Sequence, residues 1–226
     1  MHMNAFSRLI KTELRNRRTS IVVTLAAMLL IHAAILLLLA SVDFPDEAMS
    51  FILSLDVAVF VLFLLPPLLH SFTTWKEEWK QQAIYQLLTL PVPRSYLLLS
   101  KYVSLLLETL LLSGVMVAGL SLQNLVNGGL LFRAEPLYAW NVSKFVFMGE
   151  LVLFATSLIF LSFVSLLLGT TVRRFSHTLS FAVFVVGLLV VIVSLSNLPP
   201  LLTLIGLCLL FYGASLYVLD KKVGVH

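Results

Sequence analysis

The sequence has little charge and almost no cysteine. Only 12% of its 226 residues are charged, against about 25% in an ordinary soluble domain, and 60% are hydrophobic. The mean hydropathy is +1.03, which indicates a chain whose solvent is a lipid bilayer. The single cysteine, Cys208, lies inside an apolar run. A disulfide framework and a cysteine metal site within one chain are therefore excluded.

Several motifs that carry chemistry are also absent. The chain has no G-x-x-x-x-G-K-[ST] loop and no Gly-Lys pair at all, so it cannot cradle ATP phosphates by that device. It contains no G-x-S-x-G and no H-E-x-x-H sequence, and its five histidines are scattered. We therefore predict that the chain is not an enzyme by itself, binds no cofactor and has no metal site.

Long apolar runs are what the sequence does have. A helix of about 20 apolar residues crosses a hydrocarbon core of roughly 30 Å, and the first run is longer than the core of a signal peptide. Pro66 and Pro67, near the end of the second run, should kink or break its helix. We predict an all-α integral membrane protein, a single transmembrane domain over 1–226, with spans at about 20–41, 51–72, 102–122, 145–169, 176–196 and 201–219.

The N-terminal residues 1–19 predict an amphipathic helix. Phe6, Leu9 and Leu14 form an apolar stripe, and arginine and lysine side chains supply the polar face. Such a helix suits a surface of anionic head groups. We expect it to lie flat on the inner leaflet.

The basic residues are distributed unevenly between the predicted loops. If both termini lie on one side, that side holds 13 of the 15 basic residues, and only Arg133 and Lys144 lie opposite. By the positive-inside rule, both termini are cytoplasmic. Because topology accounts for nearly all the basic charge, we predict no nucleic-acid partner. The 13 residues are Arg8, Lys11, Arg15, Arg17, Arg18, Lys76, Lys80, Arg94, Lys101, Arg173, Arg174, Lys221 and Lys222.

The cytoplasmic segment 73–101 stands out between the second and third spans. It carries Trp75 and Trp79 among charges, continues with a helical pattern, and is stopped by Pro91 and Pro93. Apolar side chains recur along it at three- and four-residue spacing. The pattern predicts a short amphipathic helix that lies at a membrane surface or against a partner protein.

This segment also carries a recognisable motif: an acidic residue, a leucine pair, a Leu-Pro and an arginine before the third span. With six spans and a basic N-terminal helix, it resembles the ABC type-2 transporter permeases over essentially the whole chain. Ser100 stands where that family commonly has glycine. The matching residues are Glu78, Leu87, Leu88, Leu90, Pro91, Arg94 and Lys101.

The resemblance implies a division of labour. Such permeases pair as dimers, with a second copy or a paralogue, and each copy binds one cytoplasmic ATPase subunit that holds ATP and Mg²⁺. The resemblance further implies export from a bacterial cell membrane, with 73–101 as the coupling segment on which the ATPase docks. The alternative is a helix that only lies at the head groups. The predicted docking residues are Trp75, Glu77, Glu78, Trp79, Tyr85 and Arg94.

Acidic residues inside the spans are candidates for a substrate path, because charge is costly there. Asp56 and Glu150 lie near the outer ends of the second and fourth spans, where they could serve a cationic substrate or an exit-side gate. The alternative is that both are hydrated, or paired with Arg133 or Lys144.

Glu108 lies about two turns from the inner end of the third span. It is the third candidate for the substrate path, and its alternative is pairing with Lys101, two turns earlier. His32, near the middle of the first span, is expected to be contacted by a neighbouring helix rather than to bind a ligand.

Two other classes stay open at the level of sequence. A secondary transporter should show an internal repeat and broken midplane helices, and no repeat is evident between 20–122 and 145–219. A membrane scaffold or an intramembrane enzyme is the other class. The sequence does not choose among peptides, drugs, lipid-like molecules, haem and ions as cargo.

Overall fold

The computed structural model describes residues 2–41, 46–80, 93–128, 142–170 and 176–221. Within these ranges the chain is helical and contains no strand. Six of its helices contain stretches long and apolar enough to cross a membrane, which confirms the predicted all-α integral membrane fold. The helices are α1 His2–Asn16, α2 Arg18–Ser41, α3 Asp46–Lys80, α4 Arg94–Val126, α5 Val142–Thr170, α6 Ser176–Asn197 and α7 Pro200–Lys221.

The described residues fall into two compact units. The first unit comprises Met1–Glu13, Leu68–Leu106 and Val142–His226, and the second comprises Leu14–Pro67 and Leu107–Asn141. Both α3 and α4 contribute to both units. In α3 the boundary follows directly after the proline pair.

The first unit is built around α5, which packs along both α6 and α7. Its buried apolar side chains, such as Phe163 and Leu167, belong to one continuous cluster. Serines are also buried in α5, and their hydroxyls donate to carbonyls of the preceding turn: Ser162 to Ile159 at 2.7 Å and Ser165 to Ser162 at 2.8 Å. A polar side chain that satisfies itself in this way can face an apolar interior without an exposed donor.

The second unit contains α2, the first part of α3 and the second part of α4. Met28 of α2 packs against Leu112 and Met116 of α4, and all three are buried. A smaller cluster joins Ile35 of α2 to Ile52 of α3. Dispersion contacts of this kind hold helices together where lipid surrounds them, because burial from water supplies no driving force there.

Two local predictions are corrected by the structure. The helix α3 does not break at Pro66 and Pro67 but continues to Lys80; the kink stays a prediction. Proline's fixed φ is itself helical, and in an apolar solvent the remaining backbone groups keep their internal bonds because no water competes for them. Gln123 is helical rather than part of the connection between the third and fourth spans, since α4 continues to Val126.

The N-terminal helix α1 has the predicted two-sided character. Arg8, Lys11 and Arg15 are exposed, whereas Phe6 and Leu9 are partly buried. Phe6 contacts Tyr96 at the start of α4, with 5.6 Å between ring centroids. The apolar stripe therefore has a protein partner within the first unit; its predicted position on the inner leaflet stays a prediction.

Candidate functional site

Trp75, the first of the predicted docking residues, is buried in the first unit. Its side chain is only 2% exposed and belongs to the main apolar cluster. It meets Phe163 of α5 edge to face, with 6.0 Å between ring centroids. Trp75 therefore holds the last turns of α3 against α5.

Lys101 of α4 is buried beside Trp75, with 2% of its surface exposed. Its Nζ donates to Glu13 Oε1 at 2.8 Å and lies 5.0 Å from the centroid of the Trp75 ring. A buried ammonium requires a paired carboxylate, and an aromatic face adds to the attraction. This contact therefore joins α1, α3 and α4 within the first unit.

Arg94, the last of the predicted docking residues, is attached to the end of α7. Its Nη1 donates to Asp220 Oδ1 at 3.0 Å, to the Asp220 carbonyl at 2.9 Å and to the Leu219 carbonyl at 3.3 Å. The last carbonyls of a helix have no partner within it and carry partial negative charge. The guanidinium therefore caps α7 and fixes the start of α4 to it.

The other predicted docking residues are only partly covered by the structure. Glu77, Glu78 and Trp79 belong to the final turn of α3, but their side chains lie outside the described residues, as does the whole of Tyr85. The described helices therefore bracket the segment 81–92, since α3 ends at Lys80 and α4 begins at Arg94.

A second polar cluster lies in the second unit and joins three spans. His32 of α2, Asp56 of α3 and Gln123 of α4 are 2%, 0% and 0% exposed. Gln123 Nε2 donates to Asp56 Oδ1 at 3.2 Å and lies 3.3 Å from His32 Nδ1. The same imidazole nitrogen is 3.5 Å from Asp56 Oδ1. We call these three residues the polar triad.

Gly119 allows the triad to form. A Cβ built at this position would lie 2.7 Å from Cγ of His32 and 2.8 Å from two further ring atoms, closer than side chains normally approach. Glycine is the residue whose backbone lets a ring come this near. The imidazole of α2 therefore rests directly on the backbone of α4.

A buried charged pair joins Arg17, the residue directly before α2, to Glu108 in the middle of α4. Arg17 Nη1 and Glu108 Oε2 are 3.9 Å apart, and both side chains are at least nine-tenths buried. Arg17 is followed fifteen positions later by His32, and Glu108 fifteen positions later by Gln123. The two contacts are therefore separated by the same fifteen positions along both stretches of chain. This means that α2 and the facing part of α4 run parallel and in register over about four turns.

The acids predicted for a substrate path therefore have different surroundings. Asp56 has no exposed surface and contacts His32 and Gln123. Glu150 is partly buried in α5, and its proposed partners Arg133 and Lys144 have side chains outside the described residues. The role of Glu150 stays a prediction.

Glu108 is buried and faces Arg17, while Lys101, the partner considered for it from sequence, donates to Glu13. The expectation that a neighbouring helix contacts His32 is confirmed. Gln123 was not predicted as a site residue, because the predicted third span ends at about 122. The sequence does contain a signal for Gln123: it follows Gly119 by four positions and lies on the helix face that also carries Glu108.

Comparison with known proteins identifies the family. The family described as "ABC-2 family transporter protein" matches residues 9–173, which is more than half of the chain. Neither the curated proteins nor the solved structures give a match. The match covers the first four spans and the segment that carries the Leu-Pro and arginine motif. Together with its six apolar helices, this shows that the chain is a multi-pass membrane protein of the ABC-2 transporter family.

Proposed function

We propose that this chain is the membrane subunit of an ATP-driven exporter, and that it moves its substrate outward when a separate ATPase subunit docks on 73–101. Membership of the ABC-2 family supports a permease of an ABC transporter rather than a secondary transporter or a scaffold. ATP and Mg²⁺ are held by the ATPase subunit. The permease itself works as a dimer, with a second copy or a paralogue.

The observation that carries this proposal is the way both flanks of 81–92 are fastened into the first unit. On one side Trp75 is buried against Phe163, and on the other Arg94 is bonded to the end of α7. Lys101, with Glu13 and the Trp75 ring, ties the two flanking helices to each other. A force that the ATPase exerts on segment 81–92 would therefore be transmitted to helices that are packed within the first unit.

The proposed docking surface is the end of α3 and the segment that follows it. Glu77 and Glu78 supply a charged rim, and Trp79 and Tyr85 supply the large anchors that dominate interface energetics. Trp75 and Arg94 support this surface from within the chain, because their described contacts are internal. Charge at the rim directs the encounter of the two proteins more than it adds affinity.

The proposed orientation puts both termini and the docking surface in the cytoplasm of a bacterial cell. It rests on the basic residues, 13 of 15 of which fall on one side in the predicted topology. An ATPase subunit that consumes cytoplasmic ATP then meets the segment on its own side of the membrane.

Charge reversal at the rim tests the proposal. In the reconstituted complex, Glu78→Lys should abolish the stimulation of ATP hydrolysis by substrate, because the reversed charge repels the complementary groups of the ATPase. The permease should stay folded, since Glu78 lies on the last turn of α3. Glu47→Lys is the matched control, because Glu47 lies on the first turn of the same helix.

The measurement is substrate-stimulated ATPase activity alongside thermal unfolding of the permease. Stimulation lost in Glu78→Lys and retained in Glu47→Lys supports docking on this segment. Unchanged stimulation in Glu78→Lys contradicts it.

A further inference from the structure

The carboxyl group of Asp56 lies where an ionised group would be costly. It is fully buried, six residues into the apolar part of α3 that begins at Ser50. An ionised carboxylate in such surroundings is costly unless an opposite charge or a proton neutralises it. Its Oδ2 has no hydrogen-bond partner within the described residues, although Oδ1 accepts from Gln123.

The groups that face Asp56 come from two other helices. From α2 the titratable group is His32, and α4 contributes the uncharged amide of Gln123, followed by Asn124. The buried pair of Arg17, directly before α2, and Glu108 of α4 lies fifteen positions before His32 and Gln123, about 22 Å away at 1.5 Å per residue.

Along α3 itself the nearest acids are Glu47 and Asp46, nine and ten positions before Asp56 and on its first turn. Among the described contacts of the second unit, His32 is therefore the group that can share a charge with Asp56. One proton makes this pair neutral overall. With no proton the pair carries a net negative charge, and with two it carries a net positive charge.

The hydrogen bonds of Gln123 depend on where that proton lies. Its amide nitrogen has two hydrogens, and it lies within bonding distance of both Asp56 Oδ1 and His32 Nδ1. Both bonds can form only while Nδ1 has no hydrogen and acts as an acceptor. When Nδ1 is protonated, it instead donates to Asp56, and Gln123 loses its bond to α2.

We propose that His32 and Asp56 form a proton-binding site that holds one proton while α2, α3 and α4 are packed together. The geometry of the triad corresponds to the proton on Asp56 Oδ2 and a neutral imidazole with its hydrogen on Nε2. In the second arrangement, the carboxyl O–H bond breaks and an N–H bond forms at His32 Nδ1, which leaves an ion pair. Gln123 is the positioning residue that favours the first arrangement.

The ligand of this site is thus a proton, and its occupancy is linked to helix packing. While α2, α3 and α4 are packed together, loss of this proton or gain of a second one would leave a net charge buried in apolar surroundings. Separation of α2, α3 and α4 would admit water to His32 Nε2 and Asp56 Oδ2, both without a hydrogen-bond partner in the described part of the chain. The proton could then leave or enter. The site would make the packing of the second unit sensitive to pH.

Spectroscopy of the purified chain in lipid tests the proposal without an ATPase subunit. Infrared difference spectra between wild type and Asp56→Asn report whether the Asp56 carboxyl is protonated, and ¹⁵N resonances of labelled histidine, assigned with His32→Gln, report the charge of the imidazole. At neutral pH the two signals should sum to one proton per chain. Gln123→Leu should move that proton from the carboxyl to the imidazole, a change that a purely structural role for the amide would not produce.

Asp46→Asn, the same chemical change at the start of α3, is the matched control and should leave both signals as in wild type. Two results overturn the proposal: an ionised Asp56 beside a neutral His32, or a protonated Asp56 beside a charged His32. Thermal unfolding of each variant shows whether it is folded, and the wild-type spectra decide the question even where a variant is not. Because no ATPase is present, failure here is separate from failure of the proposed docking.

Discussion

In the first unit the buried ammonium of Lys101 is held by a carboxylate and an indole ring, whereas in the second unit the buried carboxylate of Asp56 meets an imidazole and an amide. Free lysine and glutamate side chains titrate far from neutral pH, so the first arrangement is a contact between two groups of opposite charge. Histidine is the side chain that gains and loses charge in this range. The hydrogen bonds of the second arrangement can therefore change with the position of one proton.

The two units therefore have different roles. The first unit fastens both flanks of 81–92, the proposed contact with the ATPase. The second unit joins three spans through groups whose bonding changes with one proton. A buried fixed charge and a buried titratable group look alike in a hydropathy profile, and only their partners distinguish them.

The largest effect is expected from removing the ammonium in the first unit. Lys101→Ala leaves the Glu13 carboxylate without its 2.8 Å partner, and loss of one member of a buried pair costs about 3–5 kcal/mol. The double variant Glu13→Leu with Lys101→Met should recover most of that stability, because no uncompensated charge remains. Thermal unfolding in detergent measures both, and a double variant as unstable as Lys101→Ala would contradict the pairing.

A smaller effect is expected in the second unit from filling the space against His32. Gly119→Ala places a Cβ 2.7 Å from the imidazole, so the ring or helix must shift, at a cost of about 1–3 kcal/mol. Gly114→Ala on the same helix is the control. Nothing lies within 4 Å of a Cβ there, and alanine should be neutral or stabilise by up to about 1 kcal/mol. Equal unfolding temperatures for the two variants would contradict the close approach.

The smallest effect is expected at the exposed fastening of the first unit. The Arg94 and Asp220 side chains are 34% and 58% exposed, so solvent screens their attraction, and Arg94→Ala should lower stability by at most about 1 kcal/mol. The comparison with Lys101→Ala isolates the contribution of burial. A loss as large as that of Lys101→Ala, measured by the same unfolding assay, would show that Arg94 does more than cap α7.

Much of the fold could be predicted from sequence because a bilayer allows few solutions. Apolar runs of sufficient length must be helical in lipid, and the motif around Leu90, Pro91 and Arg94 indicated the family before the comparison showed it. The errors concern where helices stop: α3 continues through Pro66 and Pro67, and α4 includes Gln123. Hydropathy indicates which residues lie in lipid. A helix can continue beyond them where neighbouring groups satisfy its backbone and polar side chains.

The partners of the polar residues could not be predicted in the same way. The spans are apolar on all sides, so the sequence does not indicate which face of each helix meets its neighbours. Glu108 could be paired only with a residue nearby in sequence, Lys101, although Arg17 from another helix faces it. Trp75 was expected on a surface because it lies among charged residues, and it is instead buried against Phe163. These contacts depend on how each helix is rotated about its own axis, and that orientation is seen only in the structure.

The central claim is that a separate ATPase subunit binds this permease at the end of α3 and the segment 81–92. Its most direct test is purification of the chain from its native membrane, with the stoichiometry of bound ATPase determined for wild type, Glu78→Lys and Glu47→Lys. We expect one ATPase subunit per chain in wild type and Glu47→Lys and loss of that subunit in Glu78→Lys. A wild-type chain that carries no ATPase, or a Glu78→Lys chain that retains it in full, would contradict the account.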